Sequence, residues 1–299
     1  MKKGLKKFRN SLAAAAVACV RAFLVLVPVK IASAAGRTIG TFTCRFLEKE
    51  RGIIRKNLDL VWPGKFTQRR SEEFALANFR NYGTMLLEFL KISSSGPSAV
   101  SSLVKSVSGL EYFEKSRREG KGLIAVTAHF GNWELMPLYL KMKGFDIGVI
   151  GKKMFDDSLD RQLSSARTKT GVKLFERDSI GKDMLKELKK GMILGILADH
   201  DTRGENVVVP FLGVPAKTPV MPARLAKKYG LYMCTAFITR DTDGLYNITV
   251  NPFIKNLETR SEEDIMTECA AEISKAVKAA PEQWTWVHDR YKSVRKAGA

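Results

Sequence analysis

The stretch that most restricts the fold is residues 122–127, GLIAVT, an unbroken apolar run that ends in Ala128-His129-Phe130-Gly131-Asn132 and leads into a helical pattern over 133–143. A strand that is apolar on both faces needs cover on both, which is how parallel strands sit in α/β proteins. The alternation recurs. Residues 145–150, 192–198 (MILGILA), 231–239 and 245–250 read as strands, the last two joined at Asp241-Thr242-Asp243-Gly244; residues 158–169, 182–190 and 218–229 read as helices, the last with Thr218 as cap and Pro219 at its first position. The expected class is α/β, a mixed, largely parallel sheet covered by helices.

Upstream the period is helical. Apolar residues spaced by three and four run from about residue 37 to 91, broken at Trp62-Pro63-Gly64, and the cluster Ser93-Ser94-Ser95-Gly96-Pro97-Ser98 is expected to separate this helical part from the α/β part. The organisation is an anchor segment over 1–35 and a single domain over 36–299, helical over 36–98 and α/β over 99–299. Four well-separated cysteines, Cys19, Cys44, Cys234 and Cys269, with no paired spacing, indicate reduced thiols rather than a zinc site or a disulfide framework.

Fifty Lys and Arg against 31 acids leave the 299-residue chain at +19. The surplus is local: residues 1–70 hold sixteen basic and three acidic side chains, a net +13. The same region contains the apolar stretch 12–29, preceded by the Lys2 to Arg9 cluster and interrupted by Arg21. Three readings fit it: a short membrane span, a cleaved leader ending at Ala32-Ser33-Ala34, and an in-plane amphipathic anchor on anionic headgroups. Membrane association is the favoured one, its depth open, with the basic cluster on the cytoplasmic side. Charge placed beside an apolar segment, without a stacking-aromatic stripe, helix-turn-helix spacing or zinc pairs, speaks against nucleic acid as the partner.

Of three histidines, His129 and His200 follow strand-like runs, where α/β proteins place their sites. His129 and Glu134 are five residues apart, so within one helix they would lie about 140° apart around the axis and could not meet. With His129 at the strand end and Glu134 in the next helix's first turn, a chain reversal at Gly131-Asn132 lets the carboxylate reach the imidazole. The pair would then take a proton from a substrate hydroxyl. Spacing alone fits equally well a core histidine beside an exposed glutamate.

The hexapeptide His129-Phe130-Gly131-Asn132-Trp133-Glu134 resembles the H-x4-D/E motif of glycerolipid-type acyltransferases, and in this form the lipid A biosynthesis acyltransferases. Further blocks are similar: Arg55-Lys56-Asn57-Leu58 with Trp62-Pro63, residues 165–171 around Arg167, Leu197-Ala198-Asp199, residues 209–213 with Thr218-Pro219, and residues 281–288 (PEQWTWVH). The resemblance implies an enzyme at the cytoplasmic face of the bacterial inner membrane. It would move a fatty acyl chain from acyl carrier protein to a hydroxyl of a phosphorylated glucosamine lipid, without metal or cofactor. His129 would be the base and Glu134 its partner, with Arg167, Asp199 and Asn132 on the substrate side; His200 and His288 are expected to be structural. Both substrates and the membrane surface are anionic, matching the basic region. Alternatives are acylation of another glycolipid, such as a mannosylated phosphatidylinositol, and an inactive membrane-binding protein. His200 in place of the family's more usual glutamine, and Gly151-Lys152-Lys153-Met154 in place of a proline-containing stretch, leave acceptor and chain length open.

Overall fold

Three helices precede the sheet: α1 (Val29–Phe46), α2 (Glu48–Val61) and α3 (Gln68–Ser95). The computed structural model describes residues 19–95, 97–151, 167–168, 170–176, 181–201 and 204–297. Helix α1 buries Ala32, Gly36, Gly40 and Cys44, one residue per turn, against α3. The backbones touch: a Cβ on Gly36 would lie 2.3 Å from the Gly83 carbonyl oxygen, and one on Gly40 2.2 Å from that of Phe79. Helix α2 stops where Trp62-Pro63-Gly64 turns the chain, Gly64 at φ +70°. Helix α3 runs into the serine cluster and ends at Ser95, and the short α4 (Pro97–Ser101) follows at once. Ser93 and Ser94 hydroxyls donate to the Leu90 carbonyl at 3.1 and 2.9 Å, so they fold back onto the helix.

The strands are β1 (Val104–Ser108), β2 (Leu123–Thr127), β3 (Ile147–Gly151), β4 (Lys173–Glu176), β5 (Ile193–Leu197), β6 (Asn206–Phe211), β7 (Val214–Pro219), β8 (Tyr232–Arg240) and β9 (Tyr246–Val250). Between and after them lie α5 (Leu110–Arg118), α6 (Leu135–Met142), α7 (Lys182–Leu188), α8 (Met221–Tyr229), α9 (Glu262–Ala279) and α10 (Lys292–Ala297). Seven strands form one sheet in the order β1-β9-β8-β2-β5-β3-β4, parallel throughout except for the β8–β9 hairpin; β6 and β7 pair separately. The mixed, largely parallel α/β class is therefore found.

Alternation along the strands builds two cores. On β2, Ile124 and Val126 face the layer of α2, α3, α8 and α9, while Leu123 and Ala125 face α5 and α6 with Phe113, Leu138 and Ile193. The helix expected over 218–229 starts later. Thr218 and Pro219 end β7, paired with Val207 and Asn206, and α8 begins after Val220 with Pro222 in its first turn. The helix expected over 158–169 lies outside the described residues apart from 167–168, which are helical, and so does the anchor up to residue 18. Among the described residues a helix covers 19–26, and none is long and apolar enough to cross a membrane.

Candidate active site

Strands β2 and β5 run parallel with Thr127 beside Leu197. Two residues past that pair, His129 and Asp199 stand side by side at the carboxyl ends of adjacent strands, the usual site position of an open α/β sheet. The Asp199 side chain is fully buried and holds His129 twice: Oδ2 accepts the His129 backbone N–H at 2.9 Å, and Oδ1 lies 2.8 Å from His129 Nδ1. The Trp284 indole N–H also donates to Oδ2, at 2.8 Å. Burial pushes the Asp199 carboxyl up, but electrostatic interaction with the adjoining His129 and His200 rings and the hydrogen bonds from His129 and Trp284 outweigh it and hold it well below the ordinary carboxylate range. An ionised carboxylate only accepts, so Nδ1 carries a proton and Nε2 is the basic nitrogen.

The expected partner, Glu134, is engaged elsewhere. The Arg167 guanidinium grips it with Nε at 2.8 Å from Oε2 and a terminal nitrogen at 2.5 Å from Oε1, a two-point clamp that keeps both oxygens off the imidazole. The chain reversal before Glu134 does form. Gly131 sits at φ +59°, and a Cβ there would fall 1.8 Å from the Ile238 carbonyl oxygen. Asn132, expected on the substrate side, is buried: its amide donates to Glu88 at 3.2 Å and its side-chain oxygen accepts the Leu135 N–H at 3.1 Å, starting α6. Asp199 likewise faces His129 and Trp284 rather than open space.

Of the two histidines expected to be structural, His200 lines the cavity and His288 stacks behind it. The rings of His129 and His200 stack at 3.7 Å and 4°, and those of His200 and His288 at 3.8 Å and 6°. Burial, with repulsion from His129, His288 and Arg290, pushes His200 down to about 3 against the pull of Asp199, so it stacks as a neutral ring; burial lowers His288 too. His129, Asp199 and His200 bring ligand atoms within 4.8 Å of one another. The set suits an ion poorly, because the two rings' lone pairs lie in parallel planes and both Asp199 oxygens already accept N–H groups.

The wall is carried by residues near the C-terminal end. The Asn57 amide of α2 donates to the Trp286 and His288 carbonyls, both at 2.9 Å, and the Asn78 amide of α3 to those of Glu282 and Trp284 at 2.8 and 2.6 Å. The Thr285 N–H and hydroxyl in turn donate to the His129 carbonyl at 3.1 and 2.8 Å. The sequence carries a signal for the His129–Asp199 pair that spacing along the chain does not reveal. Both apolar runs end in alanine followed by the polar residue, and parallel pairing in register sets the two abreast.

A cavity of about 1030 Å³ adjoins His129, Glu134, Arg167 and His200. One part runs along the sheet beneath α6, walled by Met136, Pro137 and Leu140 above and by apolar residues of β2, β3 and β5 below; another reaches α8 at Val220, Met221, Leu225 and Lys228.

A half-buried histidine paired with a buried carboxylate at a strand end, opening on a long apolar cavity, is an arrangement of an α/β enzyme that could take a proton beside an aliphatic chain. The chain belongs to the bacterial lipid A biosynthesis acyltransferase family, whose description matches residues 1–293, and it is an acyltransferase. It is 25% identical over 273 residues to the lipid A biosynthesis lauroyltransferase of Escherichia coli (strain K12), covering 90% of this chain and 88% of that protein. To the palmitoleoyltransferase of the same organism it is 24% identical over 278 residues, covering 90% and 87%. A phosphatidylinositol mannoside acyltransferase of Mycobacterium tuberculosis (strain CDC 1551 / Oshkosh) is 22% identical over 183 residues, covering 59% of this chain and 57% of that protein.

Proposed function

We propose that this protein transfers a fatty acyl chain from acyl carrier protein to a hydroxyl of a phosphorylated glucosamine lipid, a lipid A precursor, at the cytoplasmic face of the bacterial inner membrane. The observation that carries the reading is the His129–Asp199 pair at the edge of a cavity long and apolar enough for an acyl chain. His129 Nε2 takes the proton of the acceptor hydroxyl as its oxygen attacks the thioester carbonyl. The tetrahedral intermediate collapses with loss of the carrier's thiolate, which takes that proton back from the imidazolium. Asp199 fixes the tautomer and offsets the imidazolium charge. Glu134 acts through Arg167: the clamp holds the guanidinium at the cavity wall, where its positive charge would attract acceptor phosphate.

Membrane docking falls to the outer side of the N-terminal helices. On α1, Ile31, Ile39, Phe42 and Phe46 are exposed and lie within roughly 80° of arc at 100° per residue. Arg45 lies about 40° from the edge of this stripe, with Lys30 and Arg37 about 100° and 120° from it on the same side, so that positive charge adjoins one border of the apolar face.

The test is incubation of detergent-solubilised protein with acyl carrier protein loaded with defined chains and with phosphorylated disaccharide lipid, read by mass spectrometry. One added acyl mass, abolished by His129→Ala, is expected; no transfer from any donor refutes the reading. The mycobacterial relative's name favours one second reading, acylation of a mannosylated phosphatidylinositol, which the same assay decides when that lipid is supplied.

A further inference from the structure

We infer that Gly195, in the middle of β5, sets the length of acyl chain this enzyme accepts. The inference rests on the acyl-transfer reading above and concerns the part of the cavity beneath α6.

The floor of that space is a row across the sheet. Gly195 pairs in register with Ala125 on one side and with Val149 on the other, and Ala125 pairs in turn with Cys234. In-register neighbours in a sheet present their side chains to one face. Here that face belongs to α6, because Ala125, Val149 and Cys234 all pack in the core on that side. Three adjacent strands thus carry side chains no larger than cysteine at one level, and the sheet is shallow there.

Nothing in the packing calls for a glycine at 195. Its φ is not in the left-handed region, and a Cβ built on it meets only Val149 Cγ1 at 3.6 Å and the Gly148 carbonyl oxygen at 3.7 Å, ordinary contacts. Gly148 on the neighbouring strand shows the contrast. A Cβ there would be 2.7 Å from Phe175 and 2.9 Å from the Met192 sulfur, so other side chains already occupy its space. A glycine inside a strand is less favourable than alanine, because its freer backbone loses more on folding and it has no side chain to pack. At 195 the missing side chain leaves open volume in the cavity, which Gly195 lines.

The position along the strand turns this into a length. Gly195 is level with Ala125, four residues before His129, or at most about 13 Å at the rise of an extended strand. An extended chain advances roughly 1.2 Å per bond, so an acyl chain whose carbonyl sits at His129 passes Gly195 after about ten or eleven bonds. The space continues to the next level on the same face, where Ile147 and Ile193 pair and Phe113 also lines it, roughly 7 Å further. Chains of about twelve to sixteen carbons fit this path, and they must cross Gly195 to do so.

The experiment is competition among acyl carrier proteins loaded with saturated chains of eight to eighteen carbons for the same phosphorylated glycolipid acceptor, with products separated by mass. Gly195→Leu fills the row and is expected to lower transfer of fourteen- and sixteen-carbon chains at least tenfold relative to eight- and ten-carbon chains, transfer of the short chains staying within about threefold of the unaltered protein. Ile193→Ala deepens the far end and is expected to move the preference upward by two to three carbons. If the leucine variant is inactive with every donor, Gly195→Ala, whose Cβ meets only ordinary contacts, takes its place and is expected to shift the profile downward by one or two carbons. Unchanged length profiles in the Gly195 and Ile193 variants overturn the inference while leaving acyl transfer intact; absence of transfer by the unaltered protein overturns the reading beneath it.

Discussion

Replacing Asp199 by asparagine tests whether this carboxylate, rather than Glu134, makes His129 a base. The outcome follows from the number of donors already present. Oδ2 accepts two N–H groups, from the His129 backbone and the Trp284 indole, so the amide oxygen of asparagine must occupy that place. The amide NH2 then faces His129 Nδ1, which lies 2.8 Å from Oδ1 in the native protein. A donor opposite Nδ1 forces that nitrogen to accept and moves the ring proton to Nε2, the atom that has to receive the proton of the substrate hydroxyl. The same tautomer reversal costs about 10⁴-fold in a Ser-His-Asp triad, and a loss of 10³–10⁴-fold in kcat is expected here, with little change in KM for the acyl donor. The variant keeps both hydrogen bonds to the amide oxygen, so its thermal midpoint should stay close to that of the native protein. Asp199→Ala instead strands two buried donors, at about 1–3 kcal/mol each. The assay is single-turnover acyl transfer from a loaded carrier protein, with melting followed in parallel. An Asp199→Asn rate within tenfold of native would refute the argument, all the more if Glu134→Gln lost more.

Stability should fall with acid through the histidine stack. His200 is held neutral in the folded protein down to about pH 3 but takes a proton near 6.5 when unfolded, so the unfolded state binds more protons between those values, and stability is full above about 6.5 and drains away as pH falls toward 3. The expected loss is a few kcal/mol, read as a declining urea midpoint, and His200→Gln should flatten the slope; an unchanged slope would remove His200 from the account. Gly40→Leu drives a side chain into the Phe79 carbonyl, from which even a Cβ would be 2.2 Å, and should lower the melting temperature by several degrees, whereas the same change at Gly52, where a Cβ meets nothing within 4 Å, should not. Phe42→Asp with Phe46→Asp should reduce flotation with anionic vesicles at least tenfold without altering the melt, since both rings are exposed; undiminished flotation would refute docking through α1.

Much of this arrangement is readable where the physics is local. The strand at 122–127 and the hairpin around Asp241-Thr242-Asp243-Gly244 follow from unbroken apolar runs and a turn sequence, and both form. The partner of His129 does not follow from spacing, because Asp199 is 70 residues away and reaches it only through the β2–β5 register. A sequence window offers Glu134 instead, and nothing nearby announces that Arg167, 33 residues on, occupies it. The two stacked histidines are silent for the same reason: each comes from a separate segment, and only closure of the chain brings the rings into contact. At Thr218 and Pro219 two local rules competed. A cap and a proline at the first position describe a helix start, but three residues later Pro222 offers a second one, and the pairing of β7 with β6 decides between them.

The asparagine clamps on residues 282–288 also bear on when during synthesis the enzyme becomes active. Asn57 and Asn78 are made early, and the carbonyls they hold are 229, 231, 204 and 206 residues further along. Until that stretch leaves the ribosome, Asp199 lacks the Trp284 hydrogen bond, the His129 carbonyl lacks Thr285, and the outer ring of the stack is missing. Contacts of such long range form late in folding as well. A partly synthesised chain would therefore be inert, and acyl transfer would switch on only when the residues around Trp284 dock.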